Sequence, residues 1–188
     1  MDRTDMSDDE LLLLFRDPDT KQKAFSQIIS KYKEKLYWHI RRLVVIHEDA
    51  DDVLQNVFIK MWKGLDRFRE ESKLYTWLYR IASNESITHL EKQRKIRRVE
   101  ADGEGSALLA EKVKADDYFD SSKIEWKLQL AIQTLPEQQK LVFNLRYFDE
   151  MPYNEMSEVL GVSTGALKAS YHHAAKKIHN YLINELNF

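Results

Sequence analysis

The stretch PYNEMSEVLGVSTGALKASYHHAAKK, residues 152–177, reads as a helix, a tight turn and a second helix. Pro152 can open the first helix because its missing N–H would have no partner there in any case. Ser157 is small enough for two helices to approach, Gly161 four residues later supplies the turn, and the Ser163 hydroxyl can cap the second helix. Leu167, Tyr171, Ala174, Ile178 and Tyr181 then recur at helical spacing as an inner stripe. Thr164, Lys168, His172, His173, Lys176 and Lys177 are left largely on the outer side, the polar and cationic face that a groove-reading helix needs. An ordinary helical hairpin shares the periodicity, so the outer face is what favours DNA over a structural role.

Upstream of this motif, Ile124, Trp126, Leu128, Leu130, Ala131 and Ile132 form an apolar run, and Pro136 opens a helix that turns Leu141, Val142 and Leu145 inward. Residues 123–188 are therefore expected to form one helical domain. Residues 99–122 lose the periodicity and contain Gly103, Gly105 and Ser106, which predicts an acidic linker with one loose helix around 108–113. A flexible chain of about 24 residues has a relaxed span of about 27 Å and a stretched limit of about 80 Å, enough to let two lobes reach well-separated elements of one DNA.

The first lobe, residues 20–98, is read the same way. Ala24, Phe25, Ile28, Ile29, Tyr32, Leu36, Ile40, Leu43 and Val44 predict a long amphipathic helix to about Ile46. Asp49 or Asp51 is expected to cap the next, whose buried stripe is Leu54, Val57, Phe58, Met61 and Trp62 and which ends near Gly64. A third begins near Ser72 and carries Leu74, Trp77, Leu78, Ile81 and Ala82 inward. Tyr75 and Tyr79 fit either the core or a base-stacking role. The acidic segment 1–19 holds a short helix opened by the capping box Ser7–Glu10 and stopped by Asp17-Pro18-Asp19. The fold class expected is thus all-α, two small helical domains joined by a flexible linker, the second a helix-turn-helix domain.

Composition narrows the function. The 188 residues include no cysteine, so disulfide scaffolds, thiolate zinc sites and cysteine nucleophiles are excluded, and a reducing, cytoplasmic setting is expected. No apolar run approaches the roughly 18 residues of a membrane span, and the acidic start is unlike a secretory signal, so neither direct membrane insertion nor export is expected. No Gly-Lys-Ser/Thr loop, Gly-x-Ser-x-Gly elbow or His-Glu-x-x-His occurs, and adjacent His172 and His173 point about 100° apart on a helix, so neither catalysis, a metal nor a cofactor is expected. The net charge of −2 conceals blocks: residues 21–98 hold 18 basic and 10 acidic side chains, whereas 1–20 hold 2 and 7 and 99–126 hold 3 and 8. A basic lobe flanked by acidic segments suggests a polyanion partner, with the acidic pieces as linkers or as intramolecular shields of that surface.

Asp49-Ala50-Asp51-Asp52-Val53-Leu54-Gln55-Asn56-Val57-Phe58, Tyr75-Thr76-Trp77-Leu78-Tyr79-Arg80-Ile81-Ala82-Ser83-Asn84, and Leu135-Pro136-Glu137-Gln138-Gln139 with the helix-turn-helix stand in that order. Together they resemble the extracytoplasmic-function (ECF) sigma factors of bacterial RNA polymerase, within the sigma-70 family. The resemblance implies a transcription initiation factor that recognises promoters for a dedicated gene set and melts the −10 element. Its partners would be core RNA polymerase, promoter DNA and an anti-sigma factor that could hold it at the inner membrane, and it would be a monomer when free. It also implies that Asp51, Asp52, Gln55 and Lys60 face the polymerase, and that Asn84 with the preceding turn captures unstacked −10 bases beside Tyr75. Arg80, Lys92, Arg94, Lys95, Arg97 and Arg98 would hold phosphates. Lys168, His172, His173 and Lys176 would serve the −35 groove, with Ser163 and Thr164 near its backbone. Ser170, His173 and Ala175 stand where the family often has Arg, which weakens the phosphate contribution to −35 binding. The alternatives are a stand-alone helix-turn-helix regulator and a helical protein adaptor.

Overall fold

A computed structural model describes residues 6–100 and 124–186, with side chains described for 6–96 and 125–184. Among the described residues there are eight helices and no strand. They are α1 (Asp8–Arg16), α2 (Lys21–Val44), α3 (His47–Leu65), α4 (Leu74–Glu100), α5 (Ile124–Gln133), α6 (Glu137–Tyr147), α7 (Tyr153–Leu160) and α8 (Thr164–Leu186). The segment 101–123, where the sequence predicts a linker and a loose helix at 108–113, lies outside the described residues.

The capping box at α1 is formed: the Ser7 N–H donates to Glu10 Oε2 at 2.8 Å and the Glu10 N–H to Ser7 Oγ at 3.2 Å. The hydrogen bond from the Ser7 backbone holds the Glu10 carboxyl below its ordinary range. Leu11, Leu12 and Phe15 bury against α2, whose inner stripe is Ala24, Ile28, Tyr32, Leu36, Ile40 and Leu43. Asp8 ties the pair together by accepting from the Tyr32 hydroxyl at 2.7 Å, with Lys31 at 3.1 Å.

Two expectations for α3 need correcting. Neither Asp49 nor Asp51 caps it: the helix starts at His47 behind Ile46, so Asp49 lies in its first turn and Asp51 further along, where the carboxylates favour the helix through its dipole instead. Trp62 is not in the buried stripe but 40% exposed, its ring meeting Phe15 and Phe25 edge-on at 5.6 and 5.0 Å. At that helix angle the indole reaches the rim beside α1 and α2, where Phe15, Phe25 and the Lys21 ammonium at 5.3 Å cover it only in part. The core of α3 is Val53, Leu54, Val57 and Met61.

α4 packs on α2 and α3 through Leu74, Leu78, Tyr79 and Ala82. In the C-terminal lobe, Gly161 takes the left-handed conformation (φ 66°) at the end of α7 and donates its N–H to Ser157 O at 2.9 Å, while Ser163 Oγ accepts from the Ala166 N–H at 3.3 Å. The helix-turn-helix is thus α7 and α8, with Leu167 fully buried between them.

The two lobes share a core. Leu141, Val142, Leu145, Met151, Met156, Val159 and Leu167 cluster with the apolar face of α4 and α2. Ala131, Ile132, Leu135, Phe143, Ala174 and Ile178 form a smaller cluster within the second lobe. At the seam, Lys140 is buried and donates to Gln133 Oε1 at 2.6 Å.

Burial lowers the Lys140 ammonium to about 8, with Glu137 opposing the shift and Arg94 adding to it. Between that value and the ordinary 10.5 the unfolded chain holds more protons than the folded one, so stability rises with pH across this window and Lys140 penalises the fold below it. Lys140→Met is expected to raise stability at neutral pH by about 1–2 kcal/mol, after the lost Gln133 hydrogen bond is allowed for. Thermal melts of both proteins from about pH 7 to pH 10 check this: the substitution should flatten the rise.

Candidate nucleic-acid interface

The chain between α3 and α4 folds back so that Arg67, Phe68, Arg69, Glu71 and Ser72 meet Trp77 and Arg80 around an open depression of about 280 Å³. Its floor is aromatic, with the Phe68 and Trp77 rings 5.2 Å apart, and three guanidinium groups stand around it. Flat apolar rings beside fixed cations suit an unstacked base with its phosphates, because stacking and charge act on separate parts of one nucleotide. Gly64 is required for this placement: a Cβ there would lie 2.9 Å from the Trp77 ring. Arg67, Phe68 and Arg69 are not among the residues expected from the sequence; Trp77, expected inside, does pack against the core and also lines the depression. The alternation Arg67-Phe68-Arg69 just before a helix was the available signal.

From the depression an exposed stripe runs along α4 through Arg80, Asn84, Thr88, Lys92 and Lys95, spaced three or four residues apart on one side of the helix. The expected −10 residues divide here. Arg80, Asn84, Lys92 and Lys95 are exposed together. Arg94 is exposed too and is ion-paired across the seam with Glu137. Tyr75 is half-buried, its ring 4.5 Å from that of Tyr79, and burial next to the Asp149 and Glu155 carboxylates raises its hydroxyl to about 12. Tyr79 is core, 2% exposed, which decides between the two roles left open for it. The side chains of Arg97 and Arg98 lie outside the described residues.

On α3, Asp51, Asp52, Gln55, Asn56 and Ile59 form an exposed acidic and apolar face. His47 Nε2 stands 3.4 Å from Asp51. Lys60 is exposed as well and is paired with Glu85 of α4. In the second lobe Ser163, Thr164, Lys168, His172, His173 and Lys176 are all exposed along the start and outer side of α8, with Lys168 Nζ 5.8 Å from the Tyr153 ring. No cluster of metal-ligating side chains occurs among the described residues, and none of the described helices is long and apolar enough to cross a membrane.

Described residues that form helices and no strand, with a base-sized depression, a cationic helix face and a helix-turn-helix, have the form of a bipartite DNA-binding protein. Residues 28–96 match the family Sigma-70 region 2, and residues 125–178 match Sigma-70, region 4. The chain is 30% identical over 168 residues to the ECF RNA polymerase sigma factor SigW of Bacillus subtilis (strain 168), covering 86% of this chain and 90% of that one. It is 30% identical over 166 residues to the ECF RNA polymerase sigma-E factor of Escherichia coli (strain K12), covering 85% and 86%. In fold it is similar to CnrH, solved in complex with the cytosolic domain of CnrY, with TM-score 0.68 at 21% identity over 93% and 96% of the two chains. RpoE of Bartonella quintana, solved with the anti-sigma factor NepR, gives 0.65 at 20% identity over 85% and 97%. The chain belongs to the ECF sigma factors of the sigma-70 family. It is an alternative sigma factor, a transcription initiation factor, and the stand-alone regulator reading is set aside.

Gly64→Ala is expected to displace the Trp77 ring from the depression and to cost about 1–3 kcal/mol through overpacking. Denaturant unfolding, followed by the shift in midpoint at unchanged slope, measures it.

Proposed function

We propose that this sigma factor holds unstacked bases of the −10 element in the depression between α3 and α4, while α8 reads the −35 duplex. The reading rests on one observation: Arg67, Arg69 and Arg80 surround the Phe68–Trp77 pair at the head of the exposed stripe that carries Asn84. A base flipped out of the duplex loses stacking on its neighbours, and an aromatic floor returns about 1–3 kcal/mol of it. Arg80, Lys92 and Lys95 hold the phosphates that follow, and Asn84 offers a donor and an acceptor to a base edge. Binding energy from both elements shifts the closed-to-open equilibrium of the promoter, with no covalent chemistry by this chain, so it is not an enzyme.

Residues 20–98 and 123–188 act as the two functional domains. Asp51, Asp52 and Gln55, with exposed Ile59 beside them, contact core polymerase, and Lys60 fastens α3 to α4 through Glu85. Lys168, His172, His173 and Lys176 enter the −35 major groove, with Ser163 and Thr164 near the backbone. An anti-sigma factor, as in the RpoE complex, restrains the protein in the cytoplasm or at the inner membrane, and the free protein is a monomer.

Run-off transcription with purified core polymerase on candidate promoter fragments tests the whole reading. Transcripts from fixed starts that need this protein are expected; a protein that shifts DNA alone and never binds polymerase would overturn it. Asn84→Ala should abolish promoter melting, seen by permanganate reactivity of unpaired thymines, with polymerase binding retained. Arg67→Ala with Arg69→Ala should weaken binding of the −10 single strand by holoenzyme. It should also make the slope of log affinity against log salt shallower by about 1.4, at about 0.7 for each phosphate no longer neutralised.

A further inference from the structure

The carboxylate of Asp149 is almost wholly buried, its side chain 6% exposed, at the seam between the lobes. It sits in the turn after α6, where Glu150 takes a left-handed conformation (φ 51°) and the Met151 N–H returns to Leu145 O at 2.9 Å. That helix ending, anchored by the buried Met151 and Leu145 side chains, fixes the direction in which Asp149 points. Three side chains of the first lobe converge on the carboxylate: His39 Nδ1 at 2.9 Å, Arg42 at 3.3 Å and the Tyr79 hydroxyl at 3.3 Å. His39 is itself fully buried, and its other ring nitrogen meets the Ser83 hydroxyl at 3.0 Å. Arg42 lies over the Phe148 ring at 4.3 Å, and its carbonyl accepts from the Gln129 and Gln133 amides at 3.3 Å. One side chain of the second lobe thus joins α2 to α4.

This joint engages the edge of the nucleic-acid face, pairing Lys73 and Arg94 with carboxylates while both stay largely exposed. Lys73 at the start of α4 donates to Glu155 of α7 at 2.7 Å, Arg94 is paired with Glu137 of α6, and Tyr75 is half-covered next to Glu155 and Asp149. Glu155 and Glu137 thus compete with phosphate for these two cations. They come from the second lobe and not from the acidic N-terminal helix, where Asp8 is committed to Lys31 and Tyr32 and Glu10 to Ser7.

We infer that Asp149 is a latch holding the second lobe closed over α4 in the free protein, so that part of the −10 surface is masked until the lobes separate. The inference rests on the assignment of α4 as the −10 face. Three charge-assisted or hydroxyl donors converging on one desolvated carboxylate make the closed state all-or-none, because an opened lobe loses all three together. Core polymerase, or DNA held by it, would replace these contacts when it binds the separated lobes.

The cysteine-free chain allows clean spin labelling at Glu34→Cys and Asn180→Cys, exposed positions one on each lobe. The labelled full chain should give one narrow inter-lobe distance, and Asp149→Ala should give a broad distribution extending to longer distances, as should the unmutated chain with core polymerase added. Asp149→Asn, of the same shape without the charge, should open partly, and circular dichroism melts establish that each variant is folded. A folded Asp149→Ala protein that keeps the narrow distance would overturn the latch. A short fluorescent oligodeoxynucleotide reads the masking: if the open form is a minor fraction of the free protein, Asp149→Ala should raise its affinity at least about tenfold. Opening without gain in affinity would leave the latch standing and overturn the masking; loss of oligodeoxynucleotide binding by neither Arg80→Ala nor Lys92→Ala would overturn the assignment of α4 as the nucleic-acid face. Run-off transcription by the Asp149→Ala holoenzyme should stay within about twofold, since Asp149 touches neither DNA nor polymerase in the proposed assembly.

Discussion

Helix α4 constrains everything else, because one surface of it cannot be both buried and available. Its inner face, Leu74, Leu78, Tyr79 and Ala82, is committed to the core with α2 and α3. Its outer stripe from Arg80 to Lys95 is solvent-exposed and cationic. Along its edge the second lobe reaches it, Glu155 pairing with Lys73 just before the helix and Glu137 with Arg94, while Tyr75 is half-buried. An isolated 27-residue helix of this composition would gain little from propensity alone. Burial of the first face makes it rigid, and that rigidity presents Arg80 and Asn84 at fixed spacing beside the depression.

The depression itself depends on close packing more than on charge. Gly64 lets the Trp77 indole lie against the end of α3, and Phe68 then packs beside it. Guanidinium groups at Arg67, Arg69 and Arg80 repel each other and are tolerable only at a solvent-exposed rim, where water and salt screen them. A surface of this kind is stable when empty yet gains from a polyanion, which is the energetic form expected of a single-strand binding site.

The seam between the lobes combines two kinds of contact with different consequences. The apolar part, Leu141, Leu145, Met151 and Met156 against α4 and α2, supplies area without direction. The polar part around Asp149 supplies direction, since a buried carboxylate is tolerable only where its donors stand. A sigma factor whose lobes must take up separate positions on DNA can give up such a seam only if replacement contacts exist.

Local sequence pattern was enough to define the helices, the capping box at Ser7, the turn at Gly161 and the family. Each of these is written within a few residues: a 3.6-residue stripe, a hydroxyl three residues before a carboxylate, a glycine at the one position of the motif with positive φ. It also located the exposed faces of α8 and of most of α4, because outward positions follow from inward ones. Packing of the helices against one another was needed to send Trp62 to the surface, to give Lys60 to Glu85, to place Tyr79 in the core, and to bring Arg67 and Arg69 beside Arg80. The partners of Asp149 lie 70 to 110 residues away in the chain, on two helices of the other lobe. No local pattern encodes such a meeting, since it exists only when separate helices have been brought together by the burial of their apolar faces.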